Sequence, residues 1–216
     1  MLRSLLLAAA LGLPGLSHAQ SASRYYLGAG VAVLTDNLFH SGSYHSPTPV
    51  GPALTGGLVL GPRTAVQVSP SLLWASDATE YAGYQAIGGN SSISTSRYEY
   101  HVRVFSLPVL LRYTFTSPES RLRFDGLGGL TLLHSGSTTH YSSVTNGRVD
   151  SQYDYDGSTN RAYLALGPSV RYNLSQQFEL VASAPVNFVL NDGYGSFNDR
   201  LLLNVLGGVH YLFGAR

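Results

Sequence analysis

From Phe105 to Leu133 the chain alternates at every step, FSLPVLLRYTF and then RLRFDGLGGLTLL, with TSPES between them. One row of the first arm, Phe105, Leu107, Val109, Leu111, Tyr113 and Phe115, is wholly apolar. The other row holds Ser106, Pro108, Leu110, Arg112 and Thr114. The second arm sets Leu122, Phe124, Gly126, Gly128, Leu130 and Leu132 against Arg123, Asp125, Leu127, Gly129, Thr131 and Leu133. Period two predicts strands, and the short reversal through Pro118 predicts an antiparallel hairpin. The eleven residues from Phe105 to Phe115 match the length of a tilted strand that crosses a bilayer.

The same rhythm runs through the rest of the chain. It predicts strands over 25–35, 51–60, 65–75, 161–174 and 201–213, a strand entering the hairpin from Arg97, and another starting at Phe178. Pro70, which cannot donate to a ladder, predicts an irregularity in the third strand. The connections alternate long and short: 36–50, 76–96, 135–160 and 191–199 are long and polar, while 61–63, 117–121 and 175–177 are tight. Eight strands joined in this way predict an all-β fold, an eight-stranded antiparallel up-and-down transmembrane β-barrel, with both termini on the side of the short turns. The long stretches are biased in composition and are assigned no fold of their own.

Charge placement decides which row meets lipid. In the fourth to seventh strands the charges within the span, Arg112, Arg123, Asp125, Arg171 and Glu179, all fall on one row. An ionised side chain at mid-depth in hydrocarbon costs about 2–4 kcal/mol, so that row is expected to face the lumen. With His210 at similar depth, these residues form a candidate luminal polar network near the short turns. Trp74, Phe105, Tyr113, Phe115, Tyr172, Phe178, Tyr211 and Phe213 are the expected interface aromatics. The rival reading is a soluble ligand carrier of lipocalin type, with the apolar row packed inside. It requires Arg112 and Arg171 to point away from the barrel axis.

Composition narrows the choice further. Only 12% of residues are charged, Lys is absent, and 13 Arg face 12 acidic residues, which is sparse for a soluble surface and leaves no basic footprint for nucleic acid. Without Cys there are no disulfides or thiolate metal sites. Residues 1–19, with Arg3, an apolar run from Leu5 to Leu13 and Ser17-His18-Ala19, read as a signal peptide that leaves 20–216 as one domain.

The strand FSLPVLLRYTF, the strand LRFDGLGGLTLL and the terminal GGVHYLF together resemble the outer-membrane β-barrel domain family typified by PorT-like proteins, and more distantly the OmpA/OmpX-type eight-stranded barrels. The resemblance spans Tyr25 to Phe213. It implies a cell outer-membrane location, lipid and the barrel assembly machinery as partners, a structural or interaction role, and no shared catalytic motif or cofactor. Long loops rich in Tyr, Ser, Gly and Asn (36–50, 76–96 and 135–160) suit contact with an extracellular ligand or protein.

Two further motifs are weighed. A lipid-modifying enzyme would need His101 or His134 beside Ser135 or Ser137, with Glu99 to orient the base. Asp150, Asp154, Asp156 and Gly157 resemble an oxygen-rich cation loop but lack its closing Glu, so a solvated acidic segment is expected. Asn90-Ser91-Ser92 fits a glycosylation acceptor pattern, which is uninformative in a bacterium.

Overall fold

In a computed structural model of the chain, residues 24–35, 47–87, 90–191 and 200–213 are described. The expected signal peptide, most of the 36–50 and 191–199 connections and residues 214–216 lie outside them. Among the described residues there are ten strands: β1 (Arg24–Thr35), β2 (Val50–Val59), β3 (Thr64–Val68), β4 (Ser71–Ile87), β5 (Asn90–Thr114), β6 (Leu122–Thr145), β7 (Arg148–Asn173), β8 (Phe178–Ser183), β9 (Val186–Val189) and β10 (Leu201–Phe213). β3 with β4 and β8 with β9 each make one interrupted stave. Neighbouring staves pair antiparallel, and β10 pairs back onto β1, closing a ring of eight.

Both interruptions fall at prolines. At Pro70 the stave breaks, and Ser69 N donates to Pro108 O at 3.1 Å while Leu54 N donates to Pro70 O at 2.9 Å. At Pro185 the same happens: Ala184 N donates to Pro168 O and Asn204 N to Pro185 O, both at 3.0 Å. Each break lies against a proline of the next stave, where ladder donors are missing on both sides. The first break answers to Pro70 in the sequence; the second was not expected.

The two faces separate as charge placement requires. Arg112 and Arg171 are buried, at 3% and 4% exposure, while Leu166 on the opposite row is 71% exposed. Around the ring the exposed belt is Leu, Val and aromatic side chains, including Leu27, Val31, Leu54, Leu72, Val109, Leu130, Leu164 and Leu180. An apolar belt outside and ionised groups inside is the arrangement of a membrane-spanning barrel and the reverse of a soluble one. No described helix is long and apolar enough to cross a membrane; the crossing is made by strands.

The outer ends differ from the sequence expectation. Apart from 88–89, which lie outside the described residues, and the turn at Asn146-Gly147, the stretches 76–96 and 135–160 are strand rather than loop: β4 and β5 pair without a break from Ser71↔Ser106 to Ile87↔Asn90. β6 and β7 pair from Leu122↔Tyr172 out to Thr145↔Arg148, with one irregularity at Ser143/Val144. β5 and β6 are paired as well. Four staves therefore continue past the apolar belt as a single four-stranded ribbon. Both ribbon faces meet water, so the apolar–polar alternation that marks half-buried strands disappears while the backbone ladder persists.

Candidate functional site

The lumen has two levels. Near the short turns, Arg171 makes a two-pronged contact with Asp125, Nε to Oδ2 at 2.6 Å and Nη2 to Oδ1 at 3.0 Å. Its Nη1 reaches Glu179 Oε2 at 3.1 Å, and Nη2 also donates to Thr114 Oγ1 at 3.0 Å. Thr114 in turn donates to Asp125 Oδ1 at 2.6 Å. Glu179, fully buried, has His210 Nδ1 at 3.2 Å from Oε1. Strand register brings these groups together, since Thr114 lies opposite Asp125 and Glu179 opposite His210.

Arg112 takes a different partner. Its guanidinium lies 4.7 Å from the centre of the Tyr26 ring, which stacks on His210 at 4.9 Å. Tyr26 then donates to Gln67 Oε1 at 3.3 Å. The stack has room because Gly28 and Gly57 flank it: a Cβ at Gly57 would fall within the Tyr26 ring, and one at Gly28 would strike His210. Two guanidiniums and two carboxylates thus balance inside the lower barrel. Arg123, expected in the same cluster, stays at the rim, half-buried, with Nε donating to Ser120 O at 3.3 Å. Its place as the second residue of β6, just after the turn, keeps it at the mouth.

Above this level the lumen carries no buried charge among the described residues and mixes apolar with neutral polar side chains, Ser71, Ser106, Thr131, Asn187 and Asn204 among the latter. Ala32, Leu34, Leu73, Val104, Leu133, Tyr163, Val181, Val189 and Leu206 form one buried cluster. These residues stand on the charged row but farther from the short turns. The charged layer near the short turns thus lies beneath a neutral one, as an eight-stranded interior just wide enough to be filled by side chains allows.

All eight expected interface aromatics stand on the outward rows. Tyr113 and Phe115 meet edge to face at 5.4 Å, Phe178 and Tyr211 at 5.1 Å, and Tyr211 and Phe213 at 4.6 Å, a girdle at the short-turn end. Trp74 and Phe105 stand at the other end of the belt, next to the ribbon.

The ribbon sorts its side chains. Short of the irregularity at Ser143/Val144, the row continuous with the outside of the barrel carries Glu80, Arg97, Glu99, His101, Arg103, His140, Asp154 and Asp156. The row continuous with the lumen carries Tyr81, Tyr98, Tyr100, Tyr141, Tyr153 and Tyr155, with Asp77 in its course, Arg161 at its foot opposite Leu133 and Arg148 past the irregularity opposite Thr145. On the charged face His140 Nδ1 lies 2.7 Å from Asp154 Oδ1, and this carboxylate holds the imidazole above its ordinary 6.5. Arg97 pairs with Glu99 at 2.6 Å.

These placements dissolve two candidate chemistries. Ser135 and Ser137 lie on the inner row, whereas His134 lies on the outer row and pairs with Asn160 Oδ1 at 2.8 Å. His101 packs edge to face on His140 at 6.1 Å rather than on a serine. Nucleophile and base are separated by the sheet. Asp154 is taken by His140, and no cluster among the described residues can hold a metal ion. The hairpin at Asn146-Gly147, both at positive φ (50° and 78°), was missed. Asn-Gly between Val144-Thr145 and Arg148-Val149 is the signal that marks such a turn in sequence.

No family model matches the sequence, and no curated protein matches it. Solved structures do match. Ail, the attachment invasion locus protein of Yersinia pestis, aligns over 90% of this chain and 100% of its own at 13% identity, with a TM-score of 0.50. The fold is that of a small transmembrane β-barrel. OprG, an outer membrane protein of Pseudomonas aeruginosa, aligns over 90% of this chain and 97% of its own at 10% identity and a TM-score of 0.48. At such identities the likeness is one of architecture alone, that of the eight-stranded barrel.

Proposed function

We propose that the protein is an outer-membrane barrel with no transport role, which seals its own lumen and holds a rigid β-ribbon outside the cell as a contact surface. The observation that carries this reading is the change of character along single strands. β5, β6 and β7 run from a filled barrel interior straight into a water-exposed sheet with no flexible joint. A paired sheet costs more ordering entropy than a loop, and a chain that only needed to close a barrel would not require it. The apolar belt, the aromatic girdle and the resemblance of FSLPVLLRYTF and GGVHYLF to PorT-like barrels support the outer-membrane location, with the assembly machinery as the route there. The name of Ail, an attachment protein of the same architecture, fits a contact role.

The luminal network serves here as a seal. Arg171 ties its own stave to three others through Thr114, Asp125 and Glu179, and a layer of buried uncharged side chains fills the lumen above it. The wild-type barrel in planar bilayers is expected to show no steady conductance, whereas Arg171→Ala opens a leak. Steady ion flow through the wild type would overturn the seal. The contact role is tested by deleting 138–156, which joins Ser137 to Gly157, a facing pair in the sheet. Cells displaying the shortened barrel are expected to lose adherence to immobilised glycans and glycoproteins. Heat-modifiable gel mobility of the outer-membrane fraction verifies that the barrel itself remains.

A further inference from the structure

The ribbon's inner face is built around aromatic rings in register. Tyr98 lies directly opposite Tyr141, and Tyr141 opposite Tyr153, so three adjacent strands each place a ring at one level. Ring centres are 4.6 Å apart for Tyr98 and Tyr141 and 4.7 Å for Tyr141 and Tyr153, with planes tilted by 48° and 34°. Tyr81 on the fourth strand stands edge-on to Tyr98 at 6.1 Å and ends the row. The rings are open to water: Tyr81, Tyr98 and Tyr153 are exposed. Hydroxyls fill the positions between them, Ser96, Ser137, Thr139, Ser143 and Ser151, and Ser96 Oγ lies 3.4 Å from the Tyr141 hydroxyl.

Cross-strand aromatic pairs stabilise a sheet, and packing alone accounts for rings at facing positions. It does not account for the segregation of charge. Around the ring row itself the flanking positions of this face, Ser96, Tyr100, Thr139, Ser143, Ser151 and Tyr155, are all neutral; Asp77 and Arg161 lie nearer the barrel and Arg148 nearer the tip, while eight charged or titratable side chains occupy the other face. A protein ligand usually meets charge at its rim, and an anionic one requires cations, which these flanking positions do not supply. A neutral carbohydrate requires neither. Its C–H faces stack on phenol rings, its hydroxyls exchange hydrogen bonds with Ser, Thr and Tyr hydroxyls, and ring spacings of this size match successive pyranose units.

Resting on the contact role proposed above, we infer that the row Tyr98–Tyr141–Tyr153 on the ribbon's inner face is a binding platform for an uncharged oligosaccharide chain. The full-length barrel in lipid nanodiscs is presented to immobilised maltohexaose and chitohexaose, with a heparin hexasaccharide as the sulfated counterpart. At least one neutral chain is expected to bind. Tyr98→Thr and Tyr153→Thr, which keep strand propensity, should weaken that binding about tenfold each, the scale of one lost stacking contact. Tyr153→Phe keeps the ring and most of the affinity. His140→Ala and Asp154→Asn on the opposite face leave it unchanged, and the ribbon's resistance to protease shows that each variant is folded.

The inference is overturned if neither neutral chain binds, if only the sulfated one does, or if outer-face changes weaken binding as much as ring removal. If the 138–156 deletion abolishes adherence while the tyrosine variants keep it, the platform fails and the contact role stands. If the deletion changes nothing, the contact role itself fails.

Discussion

The same three strands behave differently below and above the Phe105 level. Below it, each residue is assigned by lipid on one side and a crowded interior on the other, and alternation is strict: Arg112, Thr114, Asp125 and Arg171 are buried while Leu111, Tyr113, Phe124 and Tyr172 are exposed. Above it, both sides are water, and the chain sorts charged residues from tyrosines rather than polar from apolar. A strand can therefore carry period-two information that hydropathy does not register. The lower part is held by burial and paired charge, the upper part by backbone ladders and ring contacts, and substitutions should expose that difference.

The largest effect is expected at Arg171. Its removal strands Asp125 and Glu179, both buried, without their cation, and one-sided loss of a buried pair costs about 3–5 kcal/mol. Urea unfolding followed by heat-modifiable mobility measures it. A loss below 1 kcal/mol, by roughly the scale of surface pairs, would mean that the lower lumen is wet like the ribbon. Next comes Gly57→Leu, which drives the Tyr26 ring off His210 and Arg112; overpacking of this kind costs about 1–3 kcal/mol. The same assay reads it, and an unchanged midpoint would show that the stack yields freely.

Gly147→Ala places a Cβ at φ 78° and should cost about 1 kcal/mol, confined to the hairpin tip. Faster protease cleavage near Arg148 with unaltered barrel mobility is the expected pattern. A drop in barrel stability as well would join the two regions energetically. The smallest effect concerns His140. Its pKa is raised by Asp154, so whatever stability the pair contributes is complete below the unfolded-state value and is lost as pH rises through the folded one. Nuclear magnetic resonance should find the imidazole titrating above 6.5 and returning toward it in Asp154→Asn. An unmoved titration would remove the ion pair from the ribbon.

Legibility in the sequence followed the same boundary. The alternating rows of 105–133 and the single-row placement of Arg112, Asp125, Arg171 and Glu179 held enough information to orient the fourth to seventh staves, because lipid penalises a misplaced charge. The split at Pro70 was legible from its missing N–H; the split at Pro185 needed the opposing Pro168, a relation visible only in three dimensions. The apolar cluster of the upper lumen was hidden because Leu34, Leu73, Val104 and Leu206 share a row with glycines, hydroxyls and amides, and depth is not written in a two-fold pattern. The ribbon was hidden for a simpler reason. Ser, Thr and Tyr in strands facing water on both sides look like a loop, and only Asn146-Gly147 at its tip said otherwise.

The unbroken passage of β5, β6 and β7 from bilayer to medium has a mechanical consequence. Whatever grips the tip near Asn146 pulls on staves of the barrel itself, along their own axes, with no slack linker to pay out first. Tension is then shared by long ladders of hydrogen bonds loaded side by side in shear. The molecule is built less like a rope tied to a buoy than like a mast stepped through the deck into the keel.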